Sequence, residues 1–373
     1  MRLKLSILLA KLAGSLSKNV LRKSGETIPG RVLLALYPKA ISELSKSRKI
    51  ICVSGTNGKT STTKALVTII SKLGTVTTSP SGSNLDRGVA TALMQKSEYA
   101  VLEVDELHLS RVITEAKPVA VLLLNLTRDQ LHRMHEVKRV ADRWAVSAKG
   151  APETLFIGDA DDPFVELALA SAAQSHRVSF GGRKHLDGAV CPSCGIYLKW
   201  NRNDYKCACG LTNLNADALF DSGSAAYRNA TLANVTGQLL GGKVIAIDEQ
   251  SLERSVNREY NGVKANLRLT KNPASWTEAL TSVTGNDVVL IVNSREVDGI
   301  DTSWLWDISF AVLSGKNIVV CGERGLDIAY RLHVEGIEVE VTNNFESAIS
   351  KFAKGSHVHV LAAYTAFHEL VRA

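Results

Sequence analysis

Apolar residues in this chain fall into short runs separated by segments of helical spacing. "KIICVS" (49–54), "TVTTS" (75–79), "YAVLEV" (99–104), "AVLLLN" (120–125) and "TLFIG" (154–158) are apolar or β-branched stretches of strand length. Between them, "KTSTTKALVTIISKL" and "RGVATALMQK" repeat apolar residues at helical spacing. Such alternation predicts a parallel sheet covered by helices. A second set starts near residue 287, with "DVVLIVN", "NIVVCG", "IEVEVT" and "HVHVLAA" as strands and "SAISKFA" and "HELVRA" as helical pieces. It predicts a second, smaller α/β domain. The expected division is a helical segment over 1–48, a central domain over 49–250 and a C-terminal domain over 262–373. The polar run near 250–270 is expected as the linker.

The first residues, "MRLKLSILLAKLAGSLSK", place Leu5, Leu8, Leu9, Leu12 and Leu16 on one helical face. Lys11 interrupts the uninterrupted apolar core that a signal peptide would need. The pattern predicts an amphipathic helix and leaves two readings open: packing on its own protein, or peripheral contact with a membrane surface. No stretch approaches the ~20 apolar residues of a membrane span.

Composition narrows the class. With 45% hydrophobic and 22% charged residues over 373 positions, the chain has enough apolar material for two or three packed domains and is not a disordered polyelectrolyte. The net charge of +7 permits anionic partners without selecting one. Residues 1–49 are the most basic part, with eleven lysines and arginines against Glu26 and Glu43. A cytoplasmic enzyme is expected, so clustered cysteines point to metal before disulfides.

Two motifs carry chemistry. In "ICVSGTNGKTSTT" (51–63), Gly55, Gly58, Lys59 and Thr60 follow an apolar strand and open a helix. Glycines let backbone N–H groups approach phosphate oxygens, and the helix start adds positive dipole. Lys59 would pair with β/γ phosphates and the Thr60 hydroxyl would help bind Mg²⁺. The strict phosphate-loop pattern would put glycine at Val53, so this is a variant form, G-T-N-G-K-T; an ordinary glycine turn with a surface lysine is the alternative. Downstream, "VLEVDELHLSR" (101–111) ends a strand with Glu103, Asp105 and Glu106, carboxylates suited to holding Mg²⁺ at a sheet edge or to forming a solvated acidic loop. "LLLNLTRDQLHRMHE" (122–136) brings Asn125, Asp129, Gln130 and His132 near the same edge.

The second motif is Cys191, Cys194, Cys207 and Cys209, spaced C-x2-C-x12-C-x-C. Four thiolates suit a closed tetrahedral Zn²⁺ site, and four ligands leave no open position for catalysis. Aromatics and bases in "YLKWNRNDYK" leave nucleic-acid binding open as a second use of the ribbon, or a solvated hairpin tip. Cys52 and Cys321 lie in apolar strands and are expected in the core.

"SGTNGKTST", "NLTRDQLHR" and "GDADDP" (158–163), in that order, resemble the Mur ligase superfamily. The four clustered cysteines, "KNPASWTEAL" (271–280), "VDGIDTSWLWDISF" (297–310), "AAYTAFHEL" (362–370) and "GETIPGRVLLALYP" (25–38) resemble its MurT-type group, the ligase subunits of lipid II isoglutaminyl synthases, essentially from end to end. The resemblance implies an α/β fold. A Mur ligase-like central P-loop ATPase domain would carry an inserted four-cysteine zinc ribbon (about 186–214). A smaller Rossmann-like C-terminal α/β domain would follow.

It also implies function. The group uses ATP and Mg²⁺ to activate the D-glutamate α-carboxylate of the lipid II stem peptide as an acyl phosphate, which ammonia converts to D-isoglutamine. Ammonia comes from glutamine through a separate GatD-type amidotransferase subunit, a heterodimer partner with a Cys–His pair. Carried over, Gly55, Thr56, Asn57, Gly58, Lys59, Thr60 and Ser61 bind the triphosphate, and Thr60 with Glu103 binds Mg²⁺. Asn229, in "YRNATLAN", contacts adenine. Asp301, the second acid of "DGID", completes the partner's Cys–His pair across the interface, as a carboxylate that fixes the histidine's tautomer. Departures from the group pattern are Ser275 for glycine, Ile300 for arginine, Ala226 for asparagine and His132 for aspartate; Gln130 agrees with the group. Lipid II is membrane-held, so a position at the inner face of the membrane is compatible. Two other readings stand beside this one: an amino-acid-adding Mur or folylpolyglutamate-type ligase, and a zinc-ribbon nucleic-acid binder. No nucleic acid is expected for the first reading.

Overall fold

The computed structural model describes residues 2–21, 27–80, 83–129, 137–182, 185, 187–246, 255–295 and 298–372. Two compact units emerge: Met1–Thr127 with Val137–Glu249, and Arg128–Glu136 with Gln250–Ala373.

The first unit opens with α1 (Arg2–Leu21), α2 (Ile28–Leu36) and α3 (Ala40–Ser45). β1 (Lys49–Ser54), α4 (Lys59–Ile70), β2 (Val76–Thr78), α5 (Asp86–Leu93), β3 (Tyr99–Glu103), α6 (Leu109–Ala116) and β4 (Ala120–Leu123) follow. Then come α7 (Val137–Lys149), β5 (Leu155–Asp159), α8 (Pro163–Ser171), β6 (Gln174–Ser179), the hairpin β7 (Lys199–Asn201) and β8 (Asp204–Lys206), β9 (Ala218–Leu219) and α9 (Ala225–Leu239). Among the described residues the main sheet has order β2-β3-β1-β4-β5-β6-β9, and every pairing is parallel.

The apolar runs become the middle of this sheet because both of its faces are covered. Ile51, Val53 and Leu122 pack in one cluster with Leu66 and Ile70 of α4 and Leu232 and Ala233 of α9. Each fully buried aliphatic side chain contributes roughly 1.5–3 kcal/mol relative to exposure. Since β1 lies between β3 and β4, the phosphate loop, Glu103 and Asn125 all leave the same edge. The polar segment "QSHRVS" (174–179) has no apolar signature, yet it forms β6 beside β5.

The second unit carries a sheet of order β10-β11-β15-β12-β13-β14. Its strands are β10 (Ser255–Tyr260), β11 (Val263–Leu269), β12 (Asp287–Ile291), β13 (Asn317–Cys321), β14 (Glu340–Val341) and β15 (His357–Ala362). Its helices are α10 (Pro273–Thr281), α11 (Gly325–Val334), α12 (Phe345–Ile349) and α13 (Tyr364–Arg372). The first strand pair is antiparallel and the rest are parallel. The described part of the expected linker is therefore a hairpin. Its alternate residues Val263, Ala265 and Leu267 are buried, which period-2 reading of a mostly polar run understates. Ser275, the departure from glycine, has a structural use. Asn272 Oδ1 accepts from Ser275 N at 3.0 Å, and Ser275 Oγ accepts from Asn272 N at 3.0 Å, a reciprocal cap on α10. Cys52 and Cys321 are fully buried in β1 and β13, and burial pushes each thiol up to about 12.

The N-terminal leucine face is not the packed one. α1 packs on α2 through Ser6, Ala10, Gly14 and Ser17, all buried, whereas Leu5, Leu8, Leu9, Leu12 and Leu16 are exposed. Close approach explains the choice of residues: a Cβ on Gly14 would lie 2.6 Å from Pro29 Cγ. No described helix is long and apolar enough to cross a membrane.

Asp162 ties the sheet edge together. Its carboxylate accepts from Leu126 N at 2.7 Å and from Phe164 N at 2.9 Å, capping α8, and lies 3.2 Å from His185 Nε2. Asp187 N approaches His185 Nδ1 at 3.1 Å, and the other ring nitrogen, Nε2, faces Asp162. Burial alone would raise the carboxyl's pKa. The charge and hydrogen bond of His185, with the N–H groups of Leu126 and Phe164, more than offset burial and hold it below the usual range. A depressed carboxylate contributes stability that is present above its unfolded pKa, about 3.9, and lost as pH falls through the lower folded value. Asp162→Asn is expected to cost about 2 kcal/mol at neutral pH, with the gap to wild type narrowing below about pH 4. Urea unfolding of both proteins across this range measures it; a gap that stays constant into acid would show that the carboxylate is not the source.

Candidate active site

The loop after β1 takes its shape from two glycines. Gly55 sits at φ 141° and Gly58 at φ 86°, where L side chains are strained. Space forbids a side chain as well. A Cβ on Gly55 would lie 2.9 Å from Asn125 O, and one on Gly58 would lie 2.0 Å from Asn229 Nδ2. The rest of the loop is braced by "NLT". Thr56 N donates to Asn125 O at 2.8 Å; the Asn125 side chain accepts from Asn57 N at 3.0 Å and donates to Asn57 O at 2.9 Å. Thr127 N donates to Thr56 Oγ1 at 3.0 Å. Asn57 and Thr56 are thereby held in one backbone path. Lys59, Thr60 and Ser61 begin α4, and the first N–H groups of a helix point along its axis, where they can serve an anion. Val53, where the strict pattern has glycine, is a fully buried strand residue paired with Glu103 and Leu122.

The three carboxylates after β3 separate into different roles. Glu103 Oε1 accepts from Thr60 Oγ1 at 3.2 Å, so the two residues expected to share Mg²⁺ are together. Glu106, buried, accepts from Lys59 Nζ at 2.9 Å, and Lys59 also donates to Gly55 O. Asp105 turns to its own backbone and accepts from Leu107 N at 3.0 Å; burial first, then the charge of Glu106, raises its pKa. The pairing of Glu106 with the loop lysine is visible only in three dimensions, because sequence treats the three acids alike. Asn229, expected at the adenine, lies against Gly58, and Ala226 lies in the first turn of α9. Gln130 and His132 fall outside the described residues.

The cysteine segment is a compact knuckle. The four Sγ atoms of Cys191, Cys194, Cys207 and Cys209 lie within 4.8 Å of one another, an arrangement that can hold one metal ion. Burial pushes the Cys191 thiol up to about 12, while the Leu211 N–H draws Cys209 down to about 7. Only a bound cation would hold all four as thiolates. Under the cluster sits a small core of Leu198, Tyr205 and Leu211 with Trp200 against it. Tyr205 is fully buried and donates from its hydroxyl to Ala160 O at 2.9 Å; Trp200 Nε1 donates to Gly188 O at 3.0 Å. Two of the three aromatics in "YLKWNRNDYK" are thus turned inward or engaged with backbone. Tyr197 alone is widely exposed, at 76%.

"GDADDP" anchors this knuckle. Asp161 accepts from Ser179 Oγ at 2.8 Å, Phe180 N at 2.8 Å, Gly182 N at 3.1 Å and Asn213 Nδ2 at 3.0 Å. Asn213 Oδ1 in turn accepts from Tyr205 N at 3.1 Å. One buried carboxylate therefore clasps both ends of the insertion.

In the second unit, the acids of "DGIDTSWLWD" also divide. Asp298 is buried and accepts from Thr365 N at 2.7 Å, Thr365 Oγ1 at 2.6 Å and Arg295 N at 3.2 Å. Asp307 accepts from Arg128 at 2.8 Å. Asp301 is exposed, and its Oδ1 accepts from Ser303 N at 2.8 Å at the start of a 3-10 turn. That turn is tied to α11 by Thr302 Oγ1, which donates to Asp327 at 3.2 Å. The same loop and α11 expose both charged and apolar residues. Arg324 and Asp327 pair beside Thr302. Ile300, Trp306, Leu326, Tyr330 and Val334 are each more than half exposed, and Trp306 contacts Tyr330 at 6.3 Å between ring centroids. Leu326, Tyr330 and Val334 form one stripe of α11 at four-residue spacing.

The chain is similar to known proteins over most of its length. Residues 53–205 match the Mur ligase middle domain and residues 269–367 match the MurT ligase C-terminal domain. The chain is 28% identical to the Streptococcus pneumoniae lipid II isoglutaminyl synthase (glutamine-hydrolyzing) subunit MurT, over 97% of this chain and 95% of that one. It is 28% identical to the Staphylococcus aureus protein of the same name, over 90% and 89%. In fold it is similar to MurF ligase from Thermotoga maritima in complex with ADP, with TM-score 0.62 at 17% identity over 92% of this chain and 83% of that one.

Among the described residues the knuckle's core is four side chains, Cys191, Leu198, Tyr205 and Leu211, too few to stand on apolar burial alone. Chelation, or Cys194→Ser, is expected to abolish hydrogen-exchange protection over residues 189–213 while leaving β12, β13 and β15 protected. Protection retained across 189–213 in the metal-free protein would show that the cluster is not what holds the insertion.

Proposed function

Since the chain belongs to the Mur ligase superfamily as a MurT-type member, we propose that it amidates the D-glutamate α-carboxylate of the lipid II stem peptide, using ATP and ammonia from a GatD-type glutamine amidotransferase partner. The observation that carries this reading is the pairing, in one chain, of a braced phosphate loop with an exposed aspartate in a loop that also exposes Ile300 and Trp306.

The chemistry runs in two displacements. A substrate carboxylate oxygen attacks the γ-phosphorus of ATP, the bond to the β-phosphate oxygen breaks, and ADP leaves. Ammonia then attacks the carbonyl carbon of the acyl phosphate; inorganic phosphate leaves and a proton is lost, giving the primary amide. The loop N–H groups and the start of α4 hold phosphate oxygens by hydrogen bonds. Lys59 exchanges the Glu106 carboxylate for phosphate oxygens, which keeps a buried ammonium paired in both states. Thr60 and Glu103 would hold Mg²⁺, which spreads negative charge from the transferring group. Asn229, beside Gly58, is placed to order the nucleotide.

Zn²⁺ is the ion proposed for the knuckle. Tetrahedral Zn–S bonds of about 2.3 Å require sulfurs roughly 3.8 Å apart. The pairs Cys191–Cys209 at 3.6 Å and Cys194–Cys207 at 3.3 Å need only small movements. Its role is structural.

Asp301 is proposed to act on the partner's chemistry. A carboxylate presented to a Cys–His pair orients the imidazole and stabilises its protonated form. The exposed aromatic and aliphatic residues around it are the kind that anchor protein interfaces. Burial separates it from Asp298, whose oxygens are engaged with Thr365 and Arg295 N.

Amidation assays with lipid II or a soluble muropeptide analogue test the reading. Asp301→Asn should retain wild-type activity with ammonium chloride and lose roughly 100-fold or more with glutamine plus partner. Equal loss with both nitrogen sources would remove Asp301 from the partner's site. Ligation of an added amino acid, with no amidation from either source, would return the chain to the amino-acid-adding ligases.

A further inference from the structure

We propose that the leucine face of α1 is a docking surface for an anionic lipid bilayer. Leu5, Leu8, Leu9, Leu12 and Leu16 are 43–63% exposed, an unusual cost for one short helix in water. They fill an arc of roughly 100° when residues are placed at 3.6 per turn. The buried line Ser6, Ala10, Gly14 and Ser17 occupies the opposite side, flanked by half-buried Leu3, Ile7 and Ala13, so the helix is held to its own protein there and turns five leucines outward. A helix that stabilised the fold through leucine burial would do the reverse.

Charge selects the occupant. Exposed Lys4 and Lys11 border the leucine arc on one side and exposed Arg2 borders it on the other. No aspartate or glutamate occurs in residues 1–25. Two copies meeting leucine to leucine would bring basic edges against basic edges with no acid in the helix to pair them. An anionic headgroup layer satisfies both features: leucines enter the acyl boundary while the basic flanks stay among phosphates. The surface is about 17 Å long from Leu5 to Leu16 at 1.5 Å per residue. That suits a helix lying in the interface plane, not one crossing it. The inference stands without the ligase reading. Where that reading holds, it supplies a means of reaching a lipid-linked substrate.

The test is co-sedimentation of the full chain with sucrose-loaded vesicles of phosphatidylcholine alone and of phosphatidylcholine mixed with phosphatidylglycerol. Wild type should bind the anionic vesicles and release them as salt is added. Leu9→Glu with Leu12→Glu should weaken binding at least about tenfold, and Lys4→Glu with Lys11→Glu by several-fold. Both pairs are exposed, so urea unfolding midpoints should stay at the wild-type value. Amidation of a soluble muropeptide analogue should stay unchanged too, which separates this test from that of the ligase reading. The proposal is overturned if wild type ignores anionic vesicles, or if the leucine variant binds them equally. It is also overturned if sedimentation velocity shows a wild-type dimer that the leucine variant dissolves, since the face would then serve a second copy.

Discussion

The backbone of residues 55–58 is the constraint on which the first unit depends. Two left-handed glycines steer the chain from β1 into α4, and both lie in space that a Cβ would overfill. Around them, neighbouring strands supply the braces. β4 leads into Asn125, whose amide grips Asn57 on both its N–H and its carbonyl, and β3 ends in Glu103 beside Thr60. Parallel order with β1 between β3 and β4 is what lets three separate sequence segments converge at one edge. The apolar strands are thus a positioning device as much as a core.

Carboxylates show how burial and partners sort residues that look alike in sequence. Asp161 and Asp162 are adjacent and both buried, yet one clasps the cysteine insertion and the other caps α8 and holds Leu126. Glu103 and Glu106 are three residues apart and meet Thr60 and Lys59 respectively. Asp298 and Asp301 share a loop; the first closes on Thr365, and the second stays at the surface beside Trp306 and Ile300. Burial and a full set of partners turn Asp161, Asp162 and Asp298 into braces for turns. Asp301 instead stays exposed at the start of a 3-10 turn, where it accepts from Ser303 N.

Much of this was legible in the sequence for a physical reason. Strands buried on both faces must be apolar, so β1, β3, β4, β5, β12, β13 and β15 announced themselves. The loop glycines and the four cysteines are residue types that few alternatives can replace. What stayed hidden was polar or relational. β6 and β10 carry mostly polar side chains and are strands only because neighbours pair with them. The knuckle's anchor in Asp161 links residues far apart in the chain. Ser275 in place of glycine reads in the sequence only as a departure from the group pattern, whereas its hydroxyl takes part in a reciprocal helix cap. The leucine stripe of α1 predicted a helix correctly but not which face packs, because Ala10 and Gly14 win that contact by allowing close approach to α2, with Gly14 against Pro29.

The central claim is that the braced loop serves transfer of a phosphoryl group to a carboxylate. Positional isotope transfer tests it most directly. With ¹⁸O in the D-glutamate α-carboxylate of the muropeptide, turnover with ATP and ammonia should place one ¹⁸O in each inorganic phosphate released, because the oxygen that attacks phosphorus leaves with it. Phosphate free of ¹⁸O, accompanied by amide product, would mean that the carboxylate is not activated by phosphorylation.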